Sequence, residues 1–402
     1  MKACGLIVEY NPFHNGHIYH LNSAKEESKA DCMIAVMSGS FLQRGEPALI
    51  DKFHRTSAAL KSGVDIVLEL PYAYSVQSSD IFAEGAIKCL NALKIDSLCF
   101  GSESGKIDLF SDNYHLLKQK QLLYDIILKE ELAKGHSYPL ASNKAYTTIG
   151  FDIDMFKPNN ILGFSYTKEV LSNELPINLL AIERINNNYH DKNIEDSIAS
   201  ATSVRETILN SGINNDVEMA LPNETVKMLN SYKKKSKTYH YWEKYFNLLN
   251  YQVTSASREQ LSNIALVDEG LHNRIKDTAS QATSFEEWMH LIKTKRYTWT
   301  KIQRIFTHIL TATSQAELNL FYEHNNKIRL LGMTETGQKY INQIKNNLDY
   351  EIITSLKSYG KDSLEAKISS IYYSIVDTNL KKILLKQEYA PPIIIKKANN
   401  SI

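Results

Sequence analysis

A polar turn directly behind an apolar run is the feature that most constrains how this chain folds. The run Ala3 to Val8 is typical of a buried strand, and it leads into Tyr10-Asn11-Pro12-Phe13-His14-Asn15-Gly16-His17. Asn11-Pro12 is a turn dipeptide, and a helical pattern begins near Gly16. A helix that starts there presents unpaired backbone N–H groups and the positive end of its dipole to an anion. The sequence therefore predicts an α/β fold whose first strand–helix turn binds phosphate.

Two histidines in this turn carry the chemistry that we expect of it. His14 and His17 lie three residues apart, so both can donate to one pyrophosphate as its negative charge grows. Gly16 has no Cβ, so a base or a phosphate can approach the backbone closely. We interpret His17 as the group that stabilises the displaced pyrophosphate and His14 as a phosphate clamp. The alternative is a pair of surface histidines at a helix start.

The first half of the chain alternates short apolar runs with helical patterns. We predict strands at Cys4–Glu9, Cys32–Met37, Ile66–Leu70, Ser97–Phe100 and Asn178–Ile182. Helical patterns lie at His17–Glu27, Lys52–Lys61, Ser79–Leu93 and Ile161–Leu171. This alternation is typical of a Rossmann-like parallel sheet covered by helices, with ligands at the carboxyl ends of the strands. Ser38 to Arg44 is expected to form a loop beside the α-phosphate, and Lys52 and Arg55 beyond it either meet phosphate or are solvated.

A second candidate phosphate site follows the apolar run Ile177 to Ile182. The segment Ser197 to Arg205 places hydroxyl groups before a helical pattern, with an arginine one turn into the helix. Hydroxyl caps, helix N-termini and guanidinium groups all bind anions. We therefore take Thr202, Ser203 and Arg205 as candidate phosphate-binding residues. A helix cap with a solvated arginine is the alternative.

The net charge of +1 conceals an asymmetry between the two halves of the chain. Residues 1–222 carry a net charge of −8, and residues 223–402 carry +9. After Pro222 strand-like alternation gives way to helical periodicity, although Ile393 to Ile395 is expected to form a short strand or a docking tail. We predict a catalytic α/β domain over residues 1–222 and a basic, mainly helical domain over residues 223–402 that holds a polyanion.

Composition excludes several classes of protein. No apolar run approaches the roughly 20 residues that span a bilayer, and the first residues lead straight into a strand instead of a signal peptide. Cys4, Cys32, Cys89 and Cys99 lack metal-ligand spacing and are interpreted as buried free thiols. We expect a cytoplasmic protein without membrane contact, and the sequence indicates neither a structural metal nor a protein partner.

The best candidate for RNA contact is the basic segment Lys293 to Arg304. Its cations alternate with Tyr297 and Trp299, as on a surface that pairs with phosphates and stacks on unpaired bases. The candidate RNA-binding residues are Lys293, Lys295, Arg296, Lys301 and Arg304. The alternative is an amphipathic helix with core aromatics and solvated lysines. Lys233 to Lys237 is a weaker candidate, since a lysine run is usually hydrated surface.

The histidine motif and the later Ser-Ala-Thr-Ser-x-Arg motif at residues 200–205 are similar to the HxGH nucleotidylyltransferase superfamily. The longer pattern resembles one family within it, the tRNA(Met) cytidine acetate ligases. The segments that carry this resemblance span nearly the whole chain and are Gly5–His17, Met37–Ala48, Glu69–Pro71, Phe100–Glu103, Asn159–Gly163 and Thr294–Arg304. The resemblance implies a Rossmann-like sheet of the HUP type followed by a mostly α-helical domain.

The resemblance also implies an activity and a site. The enzyme would activate acetate with ATP as acetyl-adenylate and transfer the acetyl group to N4 of the wobble cytidine of elongator tRNA(Met). Mg²⁺ is expected with the ATP. The implied ATP-contacting residues are Ile7, Val8, Glu9, Tyr10, Asn11, Pro12, Phe13, His14, Asn15, Gly16, His17, Ile18, Tyr19, His20, Gly101, Asn159 and Arg184.

Several alternatives stay open within this assignment. Asn159 is either a ligand contact or a helix N-cap before Ile161, and because Asn160 is adjacent, the contact can be shifted by one residue to Asn160. Arg184 binds phosphate or forms a salt bridge at the sheet edge, and His20 contacts the ligand or packs. Two other functions also fit parts of the chain. An adenylyltransferase for a small phosphorylated metabolite leaves the basic half unexplained, and a non-catalytic RNA-binding protein leaves both phosphate motifs unexplained.

Overall fold

The five strands predicted in the first half are all present in the computed structural model, which describes residues 1–184, 199–268 and 270–396. They are β1 (Ala3–Val8), β2 (Cys32–Ser38), β3 (Ile66–Leu70), β4 (Ser97–Ser102) and β5 (Asn178–Glu183). Neighbouring strands among these five run parallel, with Leu6 opposite Ala35 and Gly101 opposite Ile182. The predicted α/β class with a Rossmann-like sheet is confirmed.

The order of the strands determines where a ligand can bind. The first five strands lie in the order β5-β4-β1-β2-β3, so the chain winds outward from β1 in one direction and then returns to wind in the other. The connections therefore diverge between β1 and β4, which leaves a crevice at the carboxyl ends of these two strands. The histidine turn follows β1, and Gly101 lies in β4.

Seven helices connect or follow these strands in the first half. They are α1 (Asn15–Ser28), α2 (Lys52–Lys61), α3 (Tyr72–Ser75), α4 (Ser79–Ala92), α5 (Ile107–Ala133), α6 (Tyr138–Ile149) and α7 (Pro158–Ser172). Helices α1 and α2 cover one face of the sheet, and α4 to α7 cover the other. All four cysteines are buried free thiols, as predicted.

The second half is mostly helical, as expected. Its helices are α8 (Ala201–Ser211), α9 (Asn215–Ala220), α10 (Asn223–Ser236), α11 (Phe246–Ser255), α12 (Arg258–Ser262), α13 (Leu271–Thr278), α14 (Phe285–Ile292), α15 (Trp299–Leu310), α16 (Gln315–His324), α17 (Glu335–Ile344), α18 (Leu364–Tyr372) and α19 (Thr378–Leu385). None of the helices in the described ranges combines the length and the apolar character that crossing a bilayer requires.

Two strands in this half were not predicted. The strands β6 (Lys327–Thr334) and β7 (Glu351–Ile353) extend the sheet, with β6 antiparallel to β3, and the short strand β8 (Ile393–Ile395) pairs with β6. The expectation that helices alone fill the chain from Pro222 to Glu388 was therefore wrong, whereas the short strand expected at Ile393 to Ile395 is present, and the parallel sheet becomes a mixed one. The core of the helical half also includes Phe41 and Tyr72 from the first half. The domain boundary at Pro222 stays a prediction.

A buried ion-pair network joins β6 to the rest of the sheet. The Lys52 ammonium lies 2.6 Å from the Glu69 carboxylate and 3.0 Å from that of Glu388. The Arg329 guanidinium lies 3.0 Å from Glu69 and 2.7 Å from Glu388. Burial raises the pKa of Glu388, but the two cations outweigh it and hold that pKa below its ordinary value. Each charge is thus compensated within the core.

Lys52 and Arg55 therefore play neither of the roles that the sequence suggested. Both residues are 1% exposed. Lys52 is neutralised by two carboxylates, and Arg55 donates to the backbone oxygens of Glu9 at 2.7 Å and Ser38 at 2.9 Å. A buried cation requires such partners because desolvation of an unpaired charge is very costly. These residues support the sheet and the loop after β2 and bind no phosphate.

Removing one member of the network should destabilise the protein strongly. Arg329→Met leaves two buried carboxylates with only Lys52, and we expect a loss of about 3–5 kcal/mol in the free energy of unfolding. Urea denaturation measures it. Lys88→Ala, which breaks the exposed pair with Glu84, is the control and should cost under about 1 kcal/mol. Equal effects of the two substitutions would contradict the role of the network.

Candidate nucleotide-binding site

Three strand ends bring the predicted nucleotide contacts to one edge of the sheet. His14 and His17 follow β1, Gly101 lies in β4 and Arg184 directly follows β5. The charge of Arg184 acts on the imidazoles of both histidines, so these groups share one site. The crevice between β1 and β4 therefore contains the residues that the sequence selected.

The first turn of α1 orients His17. His14 is the N-cap residue, and its backbone N–H donates to Nδ1 of His17 over 3.1 Å. Because Nδ1 accepts this bond, the proton of the neutral ring sits on Nε2, which becomes a hydrogen-bond donor. The two imidazoles stack with ring centroids 3.8 Å apart. The turn thus fixes both the tautomer and the position of the imidazole that we expect to face the pyrophosphate.

The histidines of the turn are held neutral. Burial, with the charges of Arg184 and Arg205 nearby, lowers the pKa of His14 to about 3. Burial and Arg184 lower the pKa of His20 to about 4. Burial, the adjacent imidazoles of His14 and His20, and the charge of Arg184 lower the pKa of His17 well below its ordinary value. A neutral imidazole donates one hydrogen bond without carrying a proton to the leaving group.

Buried polar atoms in this turn have no protein partner. Nδ1 of His14, Nε2 of His20 and Nδ2 of Asn11 find no hydrogen-bond partner among the described residues. Buried polar atoms are almost always paired in folded proteins, so unpaired ones need an explanation. A bound nucleotide supplies suitable partners. For His20, the interpretation as a pure packing residue does not account for its unpaired nitrogen.

The other residues of the predicted ATP stretch are packed in or against the core. Tyr10 and Phe13 are buried in the core between the sheet and helices α1 and α2, and Ile18 and Tyr19 pack against that core. Tyr10 has a φ of +49°, a left-handed conformation that is unfavourable for a bulky side chain. The neighbouring residues of the predicted ATP stretch, Ile7, Val8, Pro12, Asn15 and Gly16, are buried or half-buried.

Hydrogen bonds between side chains connect the end of β4, helix α7 and the end of β5. Arg184 Nη1 donates to Asn159 Oδ1 over 3.0 Å, and Asn159 Nδ2 donates to Glu103 Oε1 over 2.9 Å. A Cβ on Gly101 would lie 3.4 Å from Cγ of Arg184, so the arginine side chain passes directly over the glycine. These contacts hold the guanidinium over the glycine, where a nucleotide can approach β4.

The structure favours Asn159 over Asn160 as the residue that faces the site. Asn160 is 4% exposed and donates to the backbone oxygen of Asp154 over 3.1 Å, so it is a packing residue. Helix α7 begins at Pro158 with Lys157 as its N-cap, so the N-cap alternative for Asn159 was wrong. The side chain of Asn159 instead binds Arg184, and its contact with ATP stays a prediction.

The second phosphate motif lies beside the first. Arg205 on α8 donates from Nη1 to the backbone oxygen of Asn11 over 3.0 Å, and its Nη2 lies 3.1 Å from the Glu46 carboxylate. Ser200 caps α8 by accepting from the N–H of Ser203 over 3.1 Å. The hydroxyl of Ser203 is buried and bonded within this cap, so it does not face a ligand here. Thr202 Oγ1 accepts from Arg205 at 3.4 Å.

Arg205 is therefore the member of this motif that reaches the histidine turn, and it is half-buried with its guanidinium bonded to Asn11 and Glu46. Part of the predicted motif, residues 197 and 198, lies outside the described residues. The motifs that the resemblance was based on included Glu46 and Glu103 without any role. The structure gives each a contact, with Arg205 and with Asn159 respectively. No spacing in the sequence pairs these residues, because each pair joins distant parts of the chain.

The basic segment divides into two parts. Lys293, Lys295 and Arg296 are exposed in the loop between α14 and α15. Lys301 forms an exposed ion pair of 2.7 Å with Asp268, and Arg304 donates from Nε to the backbone oxygen of Gln43 over 2.7 Å. The exposed cations can meet RNA, whereas Arg304 lies against the loop after β2.

The aromatic residues of this segment were predicted to stack on RNA bases, but the structure places Tyr297 in the helical core. Tyr297 is 9% exposed and belongs to the helical core, which is the packing alternative. Trp299 is half-buried, with its ring 5.2 Å from that of His290. Stacking of a base on Tyr297 is therefore not supported.

The neutral histidines give a measurable prediction. Because their pKa values lie near 3 and 4, the ring signals of His14 and His20 should not titrate between pH 8 and 5 in the folded protein. In urea-unfolded protein the same rings should titrate near pH 6.5. Protons then bind the unfolded state more readily, so this contribution to stability is complete above about pH 6.5 and is lost as the pH falls. Two-dimensional ¹⁵N NMR measures it, and titration near pH 6.5 in the folded state would contradict it.

Comparison with known proteins identifies the family to which this chain belongs. A family model described as HIGH Nucleotidyl Transferase matches residues 1–388. The tRNA(Met) cytidine acetate ligase of Oceanobacillus iheyensis is 52% identical over 401 residues, covering 98% of this chain and 100% of that protein. The Bacillus subtilis protein of the same name is 41% identical over 399 residues, covering 97% and 96%.

Solved structures agree. Crystal structures of Thermotoga maritima TmcAL are 30% identical to this chain and cover 98% of it and 100% of their own chains. The TM-score is 0.91 for the apo form and 0.90 for the form bound with alpha-thio ATP. Since the family model and the relatives match nearly the full length, the chain belongs to the tRNA(Met) cytidine acetate ligase family of HIGH nucleotidyl transferases.

Proposed function

We propose that this protein is an ATP-dependent ligase that acetylates N4 of the wobble cytidine in elongator tRNA(Met). The observation that carries the proposal is the oriented His17 beside unpaired His14 and His20 nitrogens at the N-terminus of α1. This arrangement suits a triphosphate whose pyrophosphate leaves. The names of the full-length relatives support acetate and tRNA as the other substrates.

The reaction proceeds in two steps in this proposal. An acetate oxygen attacks the α-phosphorus of ATP, which forms acetyl-adenylate and releases pyrophosphate. The N4 amine of the cytidine then attacks the acetyl carbon and releases AMP. His17 donates from Nε2 to the departing pyrophosphate, His14 and Arg184 hold the phosphates, and Arg205 stabilises the turn or binds a phosphate after parting from Glu46.

Mg²⁺ belongs to this proposal as a companion of ATP. No cluster of three His, Cys, Asp or Glu residues suitable for a metal occurs in the part of the chain that the structure describes. The phosphates of ATP would therefore supply most of the ligands, as is common for Mg²⁺ bound with a nucleotide. A cytoplasmic location, where tRNA is modified, is part of the same proposal.

The basic loop of residues 293–296 is the proposed first contact for tRNA. Lys293 and Lys295 are exposed there, at the start of the helix whose Arg304 reaches the loop after β2. A backbone phosphate bound at this loop would lead the RNA toward the crevice. The basic second half argues against an adenylyltransferase for a small metabolite, because such an enzyme needs no RNA-binding domain.

Acetate activation tests the first step directly. Acetate-dependent ATP–pyrophosphate exchange should occur without tRNA, and His17→Ala should lower its rate about 10²- to 10³-fold because a preorganised donor is lost. His115→Ala, on α5, is the matched control. Exchange that requires a phosphorylated metabolite, or that survives in the His17 variant, would contradict the proposal.

Binding of tRNA tests the role of the basic loop. Replacing Lys293 and Lys295 together with Ala should weaken tRNA binding roughly tenfold near 0.1 M salt and reduce the salt slope by about 1.5. Filter binding between 50 and 200 mM salt measures this. The control replaces Lys118 and Lys129, two exposed lysines on α5 in the acidic half of the chain. Equal slopes for the two double variants would show that the loop has no special role.

A further inference from the structure

A carboxylate lies directly beside the histidine turn, among several cations. Glu9 is the residue between β1 and the histidine turn, and it is half-buried. The ionisable groups whose charges are coupled to it are Arg44, Glu46, Arg55, Tyr166, Arg205 and Arg304. Four of these six groups are cations, yet burial is the largest influence and raises the pKa of Glu9.

Glu9 is held rigidly at both its backbone and its side chain. Its backbone oxygen accepts from Nη1 of the buried Arg55 over 2.7 Å. Its Oε1 accepts from the backbone N–H of Gln43 over 2.7 Å. These bonds engage one carboxylate oxygen and leave Oε2 with no hydrogen bond to the described residues. A fixed carboxylate with one available oxygen is suited to accept a proton.

Gln43, in the loop after β2, connects Glu9 to helix α15 of the basic half. Gln43 donates its N–H to Glu9, and its carbonyl oxygen accepts from Nε of Arg304 on α15. Gly45, with a φ of +80°, packs on the backbone of that helix, since a Cβ there would lie 2.6 Å from the backbone nitrogen of Arg304. Glu9 thus lies between the nucleotide turn and the helix that follows the proposed RNA-binding loop.

Activation of acetate gives this carboxylate no task. ATP and acetate are both anions, and a nearby negative charge weakens the binding of each. Acetate is already ionised at neutral pH, so its attack on phosphorus requires no proton removal. The second step differs, because the cytidine amine must lose a proton when it forms an amide, and its lone pair is delocalised into the ring. A positioned base accelerates such a step.

We propose that Glu9 is the general base of the acetyl-transfer step, an inference that rests on the proposed function. The cytidine N4 atom forms a bond to the acetyl carbon while one of its protons moves to Oε2 of Glu9. The bond from the acetyl carbon to the phosphate oxygen breaks, and its electron pair leaves with AMP. Glu9 then returns the proton to solvent.

The isosteric variant Glu9→Gln separates the two steps. Its amide oxygen keeps the bond from Gln43 N–H, but it cannot take up a proton. Rapid-quench single turnovers with radiolabelled acetate and an unmodified tRNA(Met) transcript measure transfer, and pyrophosphate exchange measures activation. We expect transfer to fall about 100-fold or more, at least tenfold more than exchange. Glu46→Gln, which acts through Arg205, should lower both rates by similar factors.

The pH profile adds a second readout. Wild-type transfer should fall at low pH as Glu9 becomes protonated, and Glu9→Asp should keep this acid limb at a lower rate. Glu9→Gln should lose the limb. Equal losses of exchange and transfer in Glu9→Gln, with a raised Mg²⁺ requirement for exchange, would identify Glu9 as a metal ligand and overturn the proposal. Wild-type protein without acetate-dependent exchange would instead refute the proposed function itself.

Discussion

The burial of Arg55 is the interaction on which the site depends. Its guanidinium donates to backbone oxygens at the end of β1 and β2, namely those of Glu9, Ser38 and Gly39, and its Nε donates to Ile50 over 3.2 Å. A buried cation is tolerable only with such a set of partners, so these four peptides cannot move apart without exposing a costly unpaired charge. The ends of two strands and the loop between β2 and α2 are thereby fixed relative to each other.

The buried Arg55 and its backbone acceptors join two functional parts of the protein. On one side of Arg55 the chain turns into α1, where a backbone N–H sets the tautomer of His17. On the other side Gln43 and Gly45 meet α15 of the basic half. The hydrogen bonds of Arg55 thus connect a site for nucleotide chemistry with the helix that follows the proposed RNA-binding loop. Charge asymmetry along the chain has a structural counterpart, because the acidic and basic halves meet at this loop.

Much of this arrangement could be predicted from the sequence, for physical reasons. Apolar runs such as Cys32–Ser38 are buried on both faces, so their pattern indicates strands without help from distant residues. The histidine turn was also recognisable, since its spacing places both rings on one side of a helix start. Arg184 and Gly101 could be grouped with it because parallel strands end at the same edge.

Charged core residues could not be predicted in this way. Strand β6 was missed because Arg329 interrupts its apolar pattern, and only the pairing with Glu69 and Glu388 makes its burial acceptable. Lys52 and Arg55 were predicted to be solvated or to bind phosphate. The sequence does not reveal the distant carboxylates and backbone oxygens that compensate their charges. Contacts such as that of Arg205 with Glu46 join residues far apart in the chain, and no local spacing encodes them.

The most direct test of the account is a crystal structure with a non-hydrolysable ATP analogue. The triphosphate should lie at the N-terminus of α1, with an oxygen of the β- or γ-phosphate within hydrogen-bonding distance of Nε2 of His17. The unpaired nitrogens of His14 and His20 should gain partners. A nucleotide bound away from the crevice between β1 and β4, or phosphates that leave His17 without a contact, would contradict the central claim.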